Sequence, residues 1–552
     1  MGLTQRRIGL LFAVFLVLLG IAVLRAGWVG LVNASTLKNA AATQQVVDVA
    51  LPAQRGSITD RTGTELAVSE PASDVSATPY LVKDPRGTAA KLAPILGVPV
   101  GDLLDKLTER SGFVYLSRKL PSGRAAKVRK LDIAGIDLTP TSRREYPRDW
   151  LASQVLGTVK SDGIGGAGLE YREEKTLHGK DGERRVVRDA LGEPISIRDT
   201  TPMKPGHDIQ LTLDAQIQAK AEEVLRGVGQ AYKPKSATAL VTDPRTGQVL
   251  AMANWPGVNA NDVAGAPPAA WQNRSVGDVY EPGSTFKIVT VAGALQEGLV
   301  KPDTMFNLPP KIQVADRWIG EAHDRGYVSL PTRDILAQSS NVGTIMIGQR
   351  LGARRFDQWV RRFGFGTKSG IALPGEEQGL VLPLDKYSGS SMGNLPIGQG
   401  EAVTAVQLAA AYATIANGGI LRTPQMIKSI DGKRVALPKG KRIISPFTAT
   451  EVRKMLEGVI RVGGTGTEAA IDGYTLAGKT GTANKIDPKT GTYSESAYVA
   501  SFVGFAPADD PKLLVTVTVD EPKGGIYGGS VAAPAFQRIA QFALPYLGIP
   551  PS

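Results

Sequence analysis

The first patterned stretch of the chain is an uninterrupted uncharged run from Ile8 to Leu24, preceded by Arg6 and Arg7 and followed by Arg25. At ~1.5 Å of helical rise per residue, this run approaches the ~30 Å hydrocarbon thickness of a bilayer. Arg25 can snorkel outward and Trp28 suits a membrane interface, so the pattern predicts a spanning helix. The arginines ahead of it predict a cytoplasmic N-terminus with everything after the helix exported. Val32-Asn33-Ala34 has the small-residue character of a signal-peptide cleavage site. The apolar run nevertheless exceeds the usual signal-peptide core, which favours a retained anchor. Either way residues 35–552 are exported, and residues 1–34 form a leader and anchor.

Beyond the anchor, the pattern changes texture twice. Residues 45–205 read as a mixed domain, with short strands such as "QQVVDVAL", helical stretches such as "TAAKLAPILG" and frequent Gly and Pro. Around "TPMKPGHDIQLTLD" a second domain begins, predicted over 206–552. It opens with a helix, "AQIQAKAEEVLRGVG", and a hairpin, "SATALVTDPRTGQVLAMANWP", whose turn is Asp243-Pro244-Arg245-Thr246-Gly247. Helices dominate its middle, including "AVTAVQLAAAYATIANGG", closed by Gly418-Gly419. Strands return in "GYTLAGKTGT", "YVASFVGFAP" and the alternating "KLLVTVTVD", and "APAFQRIAQFALPYL" reads as a last helix. Strands from both ends around a helical middle predict an α+β domain built on an antiparallel sheet.

Composition narrows the chemistry. The chain has 552 residues, 42% hydrophobic and 21% charged, which fits folded domains and not a disordered chain. It has no cysteine, so thiol catalysis, disulfides and cysteine-held metals are excluded. Its 3 histidines, His178, His207 and His323, neighbour no serine motif in sequence, so a serine nucleophile would more readily use lysine as its base. The net charge of +12 comes with no zinc spacing and no aromatic-interleaved basic stretch, so nucleic acid is not expected. The basic run Arg118, Lys119, Arg124, Lys127, Arg129 and Lys130 reads as a solvated face, or as attraction to an anionic membrane surface.

Four motifs compete. Gly473 to Thr480 matches the Walker A spacing, but the flanking "AAID" and "GTANKIDPKTG" supply neither the strand nor the helix of a P-loop; the latter reads as turn chemistry. Gly163-x-Gly165-x-x-Gly168 matches a dinucleotide fingerprint without a following βαβ series. "GSSMG" fits a nucleophile elbow at Ser391 but lacks its strand–helix context. The fourth is a constellation: Ser284-x-x-Lys287, then Ser339-Ser340-Asn341, then Lys479-Thr480-Gly481-Thr482. On a helix Ser284 and Lys287 share one face. A hydroxyl beside an ammonium that sheds its proton on burial is an activated nucleophile. Three such motifs in this order are specific where each alone is common.

With "RGSITDRTGTELAVS", "GAGLEYREEKTLHGKDG", "NRSVGDVYEPGSTFK", "PIGQGEAVTAVQLAAAYATIANGG" and "IYGGSVAAPAF", these motifs make the sequence resemble class B penicillin-binding proteins, peptidoglycan D,D-transpeptidases, most closely of the cell-division (FtsI) type. The resemblance implies a penicillin-recognising, β-lactamase-like transpeptidase domain on an N-terminal pedestal of the dimerisation type. It implies Ser284 as nucleophile, Lys287 as base, and an oxyanion hole from the backbone N–H groups of Ser284 and Thr482. Ser339, held by Lys287 and Lys479, would relay a proton to the leaving D-alanine. Asn341 would bind the peptide, and Lys479, Thr480, Gly481 and Thr482 the terminal carboxylate. The implied partners are donor and acceptor stem peptides, β-lactam antibiotics, membrane lipid, a membrane glycan polymerase and other division proteins, with no metal or organic cofactor. Rivals of the same fold are a D,D-carboxypeptidase, a serine β-lactamase or drug sensor using Glu376 or Glu377 to activate water, and a non-catalytic scaffold. "ALPGEEQGLVLP" itself reads as a solvated acidic loop, and Arg55, Asp60 and Arg61 of "RGSITDR" as ion pairs bridging the two domains.

Overall fold

The computed structural model describes residues 2–28, 46–188, 194–487 and 489–551. One helix, Gly2–Gly27, contains a segment, Arg7–Gly27, long and apolar enough to cross a membrane, with mean hydropathy 2.7 and no burial against the protein. Val32-Asn33-Ala34 lies outside the described residues.

The chain separates into two compact units, the smaller made of residues 1–54, 71–142 and 179–206 and the larger of 55–70, 143–178 and 207–552. In the smaller unit, Val46–Leu51, Gly182–Arg188 and Pro194–Thr201 form a three-stranded antiparallel sheet. Elsewhere in it the helices Pro85–Leu96, Val100–Leu107 and Ser122–Arg129 share a core with the strand Val114–Pro121, centred on Leu92, Leu103, Leu116 and Val128. The helix read from "TAAKLAPILG" is capped by Asp84, whose carboxylate accepts from the Gly87 N–H, and is stopped by Gly97 at φ 70°.

The larger unit is built around a five-stranded antiparallel sheet in the order Val249–Trp255, Ser236–Thr242, Leu513–Asp520, Tyr493–Ala506, Ala477–Ile486. The hairpin turn closes where Gly247, at φ 79°, donates to the Asp243 carbonyl at 2.9 Å. Helices cover both faces of the sheet. Leu514, Val503 and Phe505 join Phe286, Val406 and Tyr412 in one core, while Val515, Val517 and Phe502 join Leu225, Phe536 and Ile539 in another. The larger unit is therefore a helix–sheet–helix layering, the α+β architecture its pattern predicts. "KLLVTVTVD" alternates as a half-exposed strand would, yet Leu513 to Val519 are all buried, because this strand is central and covered on both sides.

Two local expectations change. "GTANKI" is not a turn: the strand runs Ala477–Ile486 and pairs residue for residue with the neighbouring strand from Ala477↔Phe505 to Asn484↔Tyr498. A long-range ladder outweighs the local Gly-Thr-Asn composition there. Arg55 pairs with Glu170 at 2.5 Å and Glu174 at 2.7 Å, and Asp60 accepts from the Thr62, Thr64 and Ala215 N–H groups. Arg55 and Asp60 find these partners inside one compact unit, the larger, and those of Asp60 are backbone N–H groups.

Candidate active site

Ser284 sits in a single 3₁₀ turn, Gly283–Phe286, which runs directly into the helix Lys287–Gln296. Residues i and i+3 eclipse in a 3₁₀ turn, so Ser284 and Lys287 share a face more closely than α-helical spacing alone provides. The turn is clamped on three sides. Gly283, at φ 53°, donates to the Gly398 carbonyl at 3.0 Å, and the Tyr412 hydroxyl donates to the Thr285 carbonyl at 2.8 Å. A Cβ on Gly481 would come within 2.3 Å of Ser501 Oγ and 2.9 Å of Thr285 Cγ2. The absence of a side chain there lets the K-T-G strand lie directly against the serine turn.

Lys287 is fully buried. Its ammonium donates to the Ser339 carbonyl at 2.6 Å, to Asn341 Oδ1 at 2.7 Å and to Ser339 Oγ at 3.3 Å. S-x-x-K and S-x-N are thus in direct contact. Burial pushes the Lys287 amine down to about 7, with the Glu321 carboxylate resisting that shift and the Arg325 guanidinium adding to it. Ser339 adopts φ 61°, a left-handed conformation that a non-glycine residue rarely holds without support. The support is immediate: Ser340 N-caps the helix Asn341–Leu351, accepting from the Gly343 N–H at 2.9 Å, while the Ser339 carbonyl is taken up by Lys287.

Lys479 is also fully buried, and its amine lies well below the ordinary lysine range, through burial first and the charge of Lys287 second. Strand alternation separates Lys479 and Gly481 from Thr480 and Thr482. The Thr480 hydroxyl is held by Thr465 at 2.7 Å, and Thr482 Oγ accepts from the Gly528 N–H at 3.1 Å. A Cβ on Gly528 would meet the Gly481 carbonyl at 2.4 Å, so "YGGS" packs backbone to backbone on the K-T-G strand. All three motifs therefore converge, with Ser284 half-exposed and both lysines buried behind it.

One residue escaped the motif reading. Glu321, in the loop after the hairpin Lys311–Val314/Arg317–Gly320, is 8% exposed. Its carboxylate accepts from the Asn341 N–H at 2.6 Å, the Ser340 hydroxyl at 2.7 Å and the Val342 N–H at 3.2 Å, and pairs with Arg325. It thereby caps the helix that presents Asn341, as a carboxylate at a helix N-terminus should. "GEAHDRG" carries no spacing signal, because its partners come from a segment about twenty residues away that only folding brings near.

The rival motifs dissolve into packing. Where a P-loop needs a helix after Gly478-Lys479-Thr480, the chain is strand. Gly165 and Gly168 are small because a Cβ would strike backbone at 2.0 Å and 2.5 Å respectively. Ser391 is buried at the start of a short helix, its Oγ accepting from the Ser388 N–H at 2.8 Å. His178 contacts Glu174, His207 contacts Asp431, and the His323 ring lies 5.5 Å from that of Tyr527. Glu376 is not solvated: it is buried and accepts from the Ser369 N–H at 2.6 Å and hydroxyl at 2.5 Å, while Glu377 is exposed.

Residues 237–541 match the penicillin binding protein transpeptidase domain, and residues 50–211 match the penicillin-binding protein dimerisation domain. The chain is 36% identical to the probable peptidoglycan D,D-transpeptidase PenA of Neisseria meningitidis, over 97% of this chain and 93% of that protein. It is 34% identical to the peptidoglycan D,D-transpeptidase FtsI of Escherichia coli, over 99% of this chain and 92% of that protein. Its structure resembles penicillin binding protein 3 from Mycobacterium tuberculosis complexed with aztreonam, at 30% identity and a TM-score of 0.72, covering 91% of this chain and 98% of that one.

Proposed function

Since the chain belongs to the class B penicillin-binding proteins and is a peptidoglycan D,D-transpeptidase, we propose that it crosslinks stem peptides through a Ser284 acyl-enzyme during septal wall synthesis. The observation that carries the mechanism is Lys287. It is fully buried, lowered to about 7, and one 3₁₀ turn from Ser284. A neutral amine so held takes the hydroxyl proton as Ser284 Oγ attacks the carbonyl between the two terminal D-alanines of a donor stem. The N–H groups of Ser284 and Thr482 receive the oxyanion, a contribution of a few kcal/mol per donor in related chemistry. Ser339, bonded to Lys287, returns a proton to the leaving D-alanine. Asn341 aligns the peptide, and Lys479, Thr480, Gly481 and Thr482 receive its terminal carboxylate. An acceptor amine then attacks the ester, forming the crosslink and freeing Ser284.

The apolar helix supports a retained single-pass anchor with the catalytic domain outside the membrane. The septal assignment is supported by the likeness to FtsI, and it predicts that the protein works beside a membrane glycan polymerase and other division proteins. Domain limits of 45–205 for the pedestal and 206–552 for catalysis go with this reading. Labelled penicillin tests the mechanism: it should acylate the wild type and map to Ser284, and it should leave Ser284→Ala unlabelled though folded. A label that persists on Ser284→Ala, or maps to Ser391, overturns the assignment. Glu376 is engaged by Ser369, which argues against a deacylating base. Nitrocefin should therefore be consumed about once per protein; sustained hydrolysis lost in Glu376→Gln or Glu377→Gln would establish the β-lactamase rival instead.

A further inference from the structure

Between Ser339 and Asn341, the middle residue of S-x-N stands in a closed triangle of polar groups. The Ser340 hydroxyl donates to Glu321 Oε1 at 2.7 Å and accepts from Arg325 Nη2 at 2.9 Å, and the same Nη2 donates to Glu321 Oε1. Ser340 is buried, as is the Glu321 side chain, while Arg325 keeps partial contact with solvent. Two corners come from one short loop and the third from the cap of the helix Asn341–Leu351.

The same loop fixes Asn341 at two more points. Its backbone N–H donates to Glu321 Oε2 at 2.6 Å, and its side-chain Nδ2 donates to the Gly320 carbonyl at 3.0 Å. With Nδ2 held there, the amide turns Oδ1 toward Lys287, which donates to it at 2.7 Å. Residues 320, 321 and 325 therefore set the geometry in which the buried amine meets S-x-N. A cap alone does not call for Arg325, since neutral Ser or Asn oxygens serve a helix N-terminus as well as a carboxylate does. The guanidinium needs another reason.

We propose that Glu321 and Arg325 are paired positioning residues for acylation, holding the S-x-N turn against Lys287 while their opposite charges balance at its amine. The proposal rests on Lys287 serving as the base for Ser284. Among the described residues the charged groups acting on that amine are Glu321, Arg325 and Lys479. A buried carboxylate acting on it alone would favour the ammonium, which cannot accept the serine proton. Arg325, bound directly to that carboxylate, opposes it: Glu321 raises the proton affinity of Lys287 and Arg325 lowers it. One loop thus supplies both the anchor for Asn341 and the countercharge that keeps the anchor from disabling the base.

The test is the pH profile of acylation by fluorescent penicillin, followed by stopped flow on the full chain in detergent. A wild-type label that maps away from Ser284 overturns the catalytic reading and this proposal together; with the label on Ser284, the variants judge the pair alone. Glu321→Gln should move the rising limb to lower pH and Arg325→Gln to higher pH, each by about half a unit or more, and the double variant should bring it back near the wild type. Arg325→Lys keeps the charge and loses the planar fork, so its limb should stay in place while acylation slows by about tenfold. A limb that neither single variant moves, shifts of the same sign, or an Arg325→Lys limb displaced as far as that of Arg325→Gln would each overturn the proposal. Should Glu321→Gln not fold, the contrast between Arg325→Gln and Arg325→Lys decides it.

Discussion

Two buried charge clusters in the larger unit are built on opposite principles. Around Glu170, which is fully buried, Arg55 and Arg144 approach the carboxylate from two sides at 2.5 and 2.7 Å, and Arg55 also reaches Glu174. Each charge there meets an opposite one. Behind Ser284 two lysines are buried with only dipoles in direct contact: carbonyls, a hydroxyl and an amide oxygen. Glu321, the carboxylate whose charge acts on Lys287, is spent on capping the S-x-N helix and on Arg325. Compensation makes a joint that holds several chain segments together; its absence lets Lys287 give up its proton near neutrality and holds the Lys479 amine well below the ordinary lysine range.

That contrast can be broken from either side. The largest effect should follow Lys287→Ala, with penicillin acylation falling by about 10³-fold in stopped-flow labelling, because the proton acceptor is gone. Glu170→Gln should act in reverse, lowering stability by about 3 kcal/mol in denaturant titration as Arg55 and Arg144 are left buried against a neutral partner. The acylation rate of the molecules still folded should be unchanged. The pH dependence separates the clusters further. Lys287 is lowered from 10.5 to about 7, so between those values the unfolded chain binds the extra proton and stability rises with pH. Unfolding free energies measured from pH 7 to 9 should therefore climb, with a shallower slope in Lys287→Met. In the wild type the acylation rate should rise with pH through about 7. Glu321→Gln removes the charge that resists the shift, so that limb should move to lower pH; an unmoved limb would reduce Glu321 to a helix cap. The smallest change belongs to Ser339→Gly, which should relieve the left-handed backbone and leave stability within about 1 kcal/mol of wild type or above it, while slowing acylation.

Much of this architecture was legible in local pattern. The apolar Ile8 to Leu24 run, the helical stretch "TAAKLAPILG", the Asp243–Gly247 turn and the helix "AVTAVQLAAAYATIANGG" are local signals, and each matches an observed element. The order of the three motifs likewise identified Ser284, Lys287, Ser339, Asn341 and Lys479 as one group, which the fold brings together.

What the chain could not announce was anything decided by a partner far away in sequence. "GTANKI" has turn composition and is strand because Tyr493–Ala506 supplies its ladder. "LLVTVTV" alternates and is buried throughout because helices close both faces of its sheet. Glu376 reads as a solvated loop acid and is buried on Ser369, whereas Glu401 follows a Gly-rich stretch and is buried with no hydrogen bond to either carboxylate oxygen among the described residues. Propensity and periodicity are properties of neighbours along the chain, so the sequence by itself determined most of the elements and the roster of chemical groups. Burial, desolvation and pairing are properties of neighbours in space, and only the tertiary structure decided which lysine lost its water, which glutamate capped a helix and which was buried without a hydrogen bond.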